Sequence, residues 1–392
     1  MAAADPSDAT APGASVAAAC HDAGLVRLVA TSDGGALAAT GVLARALAAA
    51  GVPFQASVRP LPGDALGSGT DADVTVTVGA SGGDAALADR PVSPAAYAAA
   101  RELAPDAADP TLALAGVLAA GAAPGDDPTT LAEDAATADV IREDARAAGC
   151  ERRPGVGVPT ADLADGLAHT TFAHAPDSGD ADAYRAALAE RDLPTEWTTE
   201  TPEDAGRRLA SLLAFDAIRS GGAPPRAADA VERALRPHAG GRCPFATVEG
   251  YADVLAATAR RDPGTGVALA LGHDARDAAL DAWRDHAVAV HRAVGAAETS
   301  RYDGLLAVLT RTGPVETVAR LVRDFRSPEP AVLVIGDGEA AAAGDGVNVG
   351  GALRTAAAAA DGTSHTRGDT AYARLDTSDP AGCIDAFREG LA

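Results

Sequence analysis

The sequence predicts an α/β protein in two parts: a parallel-sheet N-terminal domain and a smaller α/β C-terminal domain. Three observations carry this. Strand-like and helix-like stretches alternate over residues 25–120, residues 73–79 hold a strictly alternating run of β-branched valine and threonine, and Ser220-Gly221-Gly222-Ala223-Pro224-Pro225 interrupts the chain with turn formers. A chain of 392 residues with 47% apolar content can bury two cores. The expected division is a disordered tail over 1–20, a first domain over 21–219, a linker over 220–235 and a second domain over 236–392.

The first strand is Leu25, Val26, Leu28, Val29 and Ala30, followed by the turn Thr31-Ser32-Asp33-Gly34-Gly35 and an Ala/Leu helix reaching Leu47. Such a turn delivers side chains to the sheet rim beside a helix N-terminus, where N–H groups are unpaired. A second strand is expected over 53–58, ending before Pro60-Leu61-Pro62-Gly63, and a third over 73–79. Helices follow over 94–103 and 111–120, then a helix-rich section over 132–218, broken at Arg152-Arg153-Pro154-Gly155. Beyond the linker, the apolar runs 267–271 and 331–335 read as buried strands, with Gly264-Thr265-Gly266 a turn into the first. No solenoid or propeller period is present.

The net charge is -23 and all 32 basic residues are arginine, for there is no lysine. An acidic, hydrated surface fits a salt-adapted organism, so acidity alone does not exclude nucleic acid as a partner. Absence of lysine excludes a P-loop at Gly336-Asp337-Gly338, and 3% aromatics argue against a large base-stacking platform. The first twenty residues lack a signal peptide's basic and apolar regions, and no run of 18 apolar residues occurs, which predicts a cytoplasmic protein without membrane contact. Cys20, Cys150, Cys243 and Cys383 form no metal or disulfide pattern and read as reduced thiols. His169 with His174, and His286 with His291, are each five residues apart, which does not suit a metal pair on one helix face.

Three stretches together resemble the DHH phosphoesterase superfamily, most closely its archaeal RecJ-like branch. They are Ser32-Asp33-Gly34-Gly35-Ala36-Leu37; Arg152-Arg153-Pro154-Gly155-Val156-Gly157 continuing to Asp165-Gly166-Leu167-Ala168-His169; and Val347-Asn348-Val349-Gly350-Gly351 continuing to Gly362-Thr363-Ser364-His365. The resemblance spans nearly the whole chain. It implies a DHH-type N-terminal domain joined to a smaller DHH-associated C-terminal domain, with a nucleic-acid strand running between them.

Measured against that superfamily, ligands for a pair of metal ions are missing. The Asp-x-Asp-Gly motif has Thr31 at its first position and keeps only Asp33. Gly79-Ala80-Ser81 stands where a metal-binding aspartate ends the third strand, and the Asp-His-His triplet is absent. Asp84 and Asp89 read either as replacement manganese ligands or as solvated loop acids; Asp162 and Asp165 are more distant acids. The resemblance implies nucleic-acid contacts at Ser364, His365 and Arg367 in the turn Asp361–Gly368, with Arg152 and Arg153 as backbone anchors or an ordinary surface pair. Two cations close together need several anionic ligands to offset their repulsion. The expected function is therefore a catalytically inactive RecJ-like protein of DNA replication or repair, a replisome partner or single-strand-binding module needing no cofactor. One eukaryotic replisome helicase subunit of that superfamily has lost nuclease activity, and by resemblance the partners are the archaeal GINS complex and replicative helicase. The alternative is a manganese-dependent single-strand exonuclease or oligonucleotide phosphodiesterase built on Asp33, Asp84 and Asp89.

Overall fold

The computed structural model describes residues 11–61, 63–66, 71–121, 135–198, 200–219 and 223–391. Residues 1–10 of the expected tail, Pro62 and the linker residues 220–222 lie outside them. Helix α1 (Pro12–His21) buries Val16, Ala17 and Cys20, correcting the expected tail from Pro12 onward. A proline in the first turn and an alanine-rich apolar face suffice for a docked helix.

Strands β1 (Val26–Thr31), β2 (Phe54–Arg59), β3 (Val74–Val78) and β4 (Ala85–Leu87) form a parallel sheet in the order β2-β1-β3-β4. Helices α2 (Gly34–Ala50) and α3 (Gly63–Leu66) lie between β1 and β3, and α4 (Ser93–Leu103) and α5 (Pro110–Ala119) pack against α2. The register Val26↔Val74 to Ala30↔Val78 aligns the ends of β1 and β3, which places Thr31 next to Gly79. Gly41 lets α2 approach its neighbour closely, because a Cβ there would lie 2.7 Å from the Ala270 carbonyl oxygen.

Helix α6 (Ala135–Ala147), strand β5 (Cys150–Arg152), helices α7 (Leu163–His169), α8 (Ala181–Glu190), α9 (Glu203–Arg219) and α10 (Ala227–Glu232), and strand β6 (His238–Gly240) follow. Then come α11 (Val248–Arg261), α12 (Pro263–Ala270) and α13 (Arg276–Gly295). The expected strand over 267–271 is therefore helix. The Asp262 carboxylate accepts from the Thr265 N–H at 3.2 Å and Pro263 opens the first turn, and a short apolar run cannot itself distinguish buried strand from buried helix. Helix α11 packs on α2 and α5, so residues 248–261 share the interior of the N-terminal sheet's helices.

The second part is a six-stranded sheet in the order β11-β12-β10-β9-β8-β7. Its elements are β7 (Glu298–Tyr302), β8 (Leu305–Leu309), α14 (Val315–Phe325), β9 (Ala331–Ile335), β10 (Glu339–Gly344), α15 (Val349–Ala359), β11 (Thr363–Arg367), β12 (Thr370–Arg374) and α16 (Pro380–Leu391). Pairing is antiparallel except between β8 and β9, which α14 joins. Strand alternation splits the core: Val332 and Val334 join the interior shared with the first part, while Ala331, Leu333 and Ile335 face α15 and α16. The expected loop around His365 is instead the hairpin β11–β12, closed by Gly368-Asp369 with Gly368 at φ +59°.

All four cysteines are free. Among the described residues, no helix is long and apolar enough to cross a membrane.

A candidate functional site lined by arginines

Asp33 ends the β1 turn and caps α2. Its Oδ1 accepts from the Ala36 N–H at 3.0 Å and its Oδ2 from the Thr31 hydroxyl at 2.6 Å, with Arg90 Nη1 3.7 Å from Oδ2. Burial alone would raise its pKa, but the Arg90 and Arg367 guanidiniums and these two hydrogen bonds hold it well below the usual carboxylate range. Asp33 is thus ionised, buried and already partnered.

Gly79 closes the neighbouring strand at φ +90°. A Cβ built there would lie 2.1 Å from Thr31 Oγ1, so the expected second aspartate could enter only by displacing Thr31. Asp84 is exposed and spends a carboxylate oxygen on the Thr75 N–H at 2.8 Å; Asp89 is exposed too. Asp162 caps α7, and Asp165 pairs with Arg284 at 2.9 Å and His169 at 3.1 Å, away from Asp33. Among the described residues no three His, Cys, Asp or Glu side chains gather as metal ligands. The residues around Asp33 do not make the ligand set of a two-cation centre.

What surrounds Asp33 is a cleft of about 570 Å³ between the two parts. Its arginines are Arg90, Arg226, Arg233, Arg260, Arg320, Arg323 and Arg367, and its acids Asp33, Asp229, Asp253, Glu316, Asp324, Asp345 and Asp369. Glu316, Arg320, Arg323 and Asp324 come from one face of α14, at helical spacing. Glu316 answers Arg260 at 3.2 Å and Arg367 at 2.5 Å; Asp324 answers Arg233 at 2.5 Å and Arg323 at 2.8 Å, with Arg320 at 3.9 Å. Arg323 also pairs with Asp369, and Arg226 lies 3.6 Å from Asp345. Of these, the pairs Arg260–Glu316, Arg233–Asp324 and Arg226–Asp345 bind residues of the first part to the second across the cleft. Asp253 accepts from the Thr171 N–H and hydroxyl and from Trp283 Nε1; burial pushes its pKa up.

Of the nucleic-acid candidates, the structure brings His365 and Arg367 to Asp33. His365 faces the Gly79 backbone, and burial, with Arg367 next, depresses its pKa. Ser364 falls on the other face of β11, where its neighbour-but-one Thr366 packs against Gly350 of α15. Arg152 donates to the Arg236 carbonyl at 3.0 Å, while Arg153 stacks over Trp197 at 4.7 Å and donates to the Ala246 carbonyl at 3.3 Å. Neither lines the cleft. Sequence reasoning missed Arg90, Arg233, Arg260 and the α14 set. Only the last left a signal: charges at 316, 320, 323 and 324 in a helix otherwise made for burial.

A family model described as "Uncharacterized protein rrnAC1427, C-terminal domain" matches residues 297–389, which coincides with the six-stranded sheet and its helices. The uncharacterized protein rrnAC1427 of Haloarcula marismortui is 49% identical over 392 residues, covering 99% of this chain and 98% of that one. Among solved structures, CDC45 from Entamoeba histolytica shares the fold at a TM-score of 0.54 and 9% identity, over 94% of this chain and 95% of that chain. RecJ from Thermus thermophilus with Mg2+ aligns at a TM-score of 0.47 and 15% identity, over 97% of this chain and 51% of that chain. The chain belongs to the family of the Haloarcula protein rrnAC1427, and its fold is similar to that of CDC45 from Entamoeba histolytica.

Proposed function

We propose that this chain is a non-hydrolytic protein of DNA replication or repair, which needs no metal ion and serves as a replisome partner or single-strand-holding module. The observation that carries the reading is the state of Asp33. Both its oxygens are engaged, Arg90 and Arg367 supply the positive charge that divalent ions would otherwise bring, and Gly79 leaves no room for a second acid. The fold shared with CDC45 supports the replisome half of the reading. By that likeness we assign the archaeal GINS complex and replicative helicase as partners.

The test uses purified full-length chain in molar potassium chloride with manganese and an end-labelled single strand, beside the Asp33→Ala variant. The expected result is no cleavage by either protein. Cleavage by the natural chain that Asp33→Ala abolishes would overturn the proposal and establish the exonuclease alternative.

A further inference from the structure

The cleft carries more guanidinium donors than its carboxylates use. Arg367 is 3% exposed, and its Nη1 pairs with Glu316, but its Nε and Nη2 have no hydrogen-bond partner among the described residues. Those two atoms form one edge of the guanidinium, the pair of parallel donors that grips an oxyanion through two oxygens. Glu316 cannot satisfy them, because it is already shared with Arg260. On the facing helix α14, Arg320 Nη2 donates to the Thr171 carbonyl at 2.9 Å, while its Nη1 is buried and likewise lacks a hydrogen-bond partner. A buried donor left unmade is expensive, more so when charged, and the Arg367 and Arg320 side chains both border one cavity large enough for a nucleotide-sized molecule.

We infer that the cleft binds a dianionic phosphate group directly through Arg367 and Arg320, without a metal ion. The acids nearby do not forbid this. Asp33 already accepts from Thr31 and Ala36 and is offset by the nearby Arg90 and Arg367 charges, and Asp253 spends its oxygens on Thr171 and Trp283. Burial lowers the Arg320 pKa to about 10, and at neutral pH the guanidinium stays charged. The inference rests on the metal-free reading of the cleft and names its ligand class. The phosphate is either free, as inorganic phosphate or on a mononucleotide, or the terminal group of a strand.

The experiment is calorimetric titration of the full-length chain in molar potassium chloride with EDTA. The probes are inorganic phosphate, adenosine 5′-monophosphate, and an oligothymidylate with or without a 5′-phosphate. One saturable site is expected, weakened at least tenfold in Arg367→Gln and in Arg320→Gln; the second variant, at a half-buried side chain, serves if the first does not fold. Tighter binding of the mononucleotide assigns a free ligand, and tighter binding of the phosphorylated oligomer assigns a strand end. Absence of saturable binding, or binding unchanged in a folded Arg320→Gln protein, overturns the inference. Binding that appears only when manganese replaces EDTA would sink the metal-free reading with it, whereas no binding under either condition removes the present inference alone.

Discussion

Asp324→Ala is expected to cost the folded chain about 3–5 kcal/mol, since it leaves charged groups buried without a counter-ion. Asp324 is 3% exposed and answers Arg233, which follows α10, and Arg323 from its own helix, with Arg320 one turn away. Burial would raise its pKa, but the Arg233, Arg323 and Arg320 charges hold it below the usual range. The carboxylate therefore contributes stability that is present above the unfolded pKa of about 4 and is lost as pH falls below that. Asp324→Asn keeps an acceptor while losing the charge, so it should fall between the natural chain and the alanine variant. Denaturant midpoints at constant high salt measure the difference. A loss under about 1 kcal/mol for Asp324→Ala would mean that the network across the cleft is ornamental.

Mild acid should unfold the protein well before its carboxylates titrate. His286, His291 and His174 are held neutral by burial first. Arg260 and Arg320 add to this at His286, the stacked His174 at His291, and Arg326 at His174. The pKa falls to about 3 for His291 and about 4 for His174, and well below the usual value for His286. The hydrogen bonds define the tautomers. His291 Nε2 donates to the Thr170 carbonyl at 3.1 Å, so its Nδ1 must accept from His174 Nδ1–H at 3.2 Å. Each folded pKa lies below the unfolded value of about 6.5, so the unfolded chain binds protons first as pH falls. Stability is complete above about pH 6.5 and declines toward pH 4, by up to about 1.4 kcal/mol per pH unit for each histidine. Three together approach about 4 kcal/mol per unit, a large fraction of an ordinary domain's stability. Thermal midpoints across this range should fall steeply, and less so in His174→Gln. A flat profile between pH 7 and 5 would contradict the assignment of neutral histidines.

The parts of the fold that were legible in sequence are those set by local chemistry. The β-branched run of β3, the Asp33 turn and the Ala/Leu helix behind it lie where periodicity and capping place them. Residues 267–271 were misread because five apolar residues have no period, and only the cap at Asp262 discriminates. The hairpin at 363–374 was concealed by its polar, threonine-rich strand, although Gly368-Asp369 is a turn signal. The departures from the superfamily pattern, Thr31 and Gly79 where it places aspartates, could be read directly from the residues. What replaces them could not, because Arg90 lies 57 positions from Asp33 and Arg233 lies 91 from Asp324, distances that only the folded chain closes.

The central claim is that guanidinium groups, rather than divalent ions, neutralise the buried carboxylate at the end of β1. Anomalous scattering from crystals of the full-length chain soaked in manganese reads this directly. The account predicts no manganese peak within coordinating distance of Asp33, with Arg90 and Arg367 still beside it. Two ions bridged by Asp33, with Arg90 swung away, would contradict it.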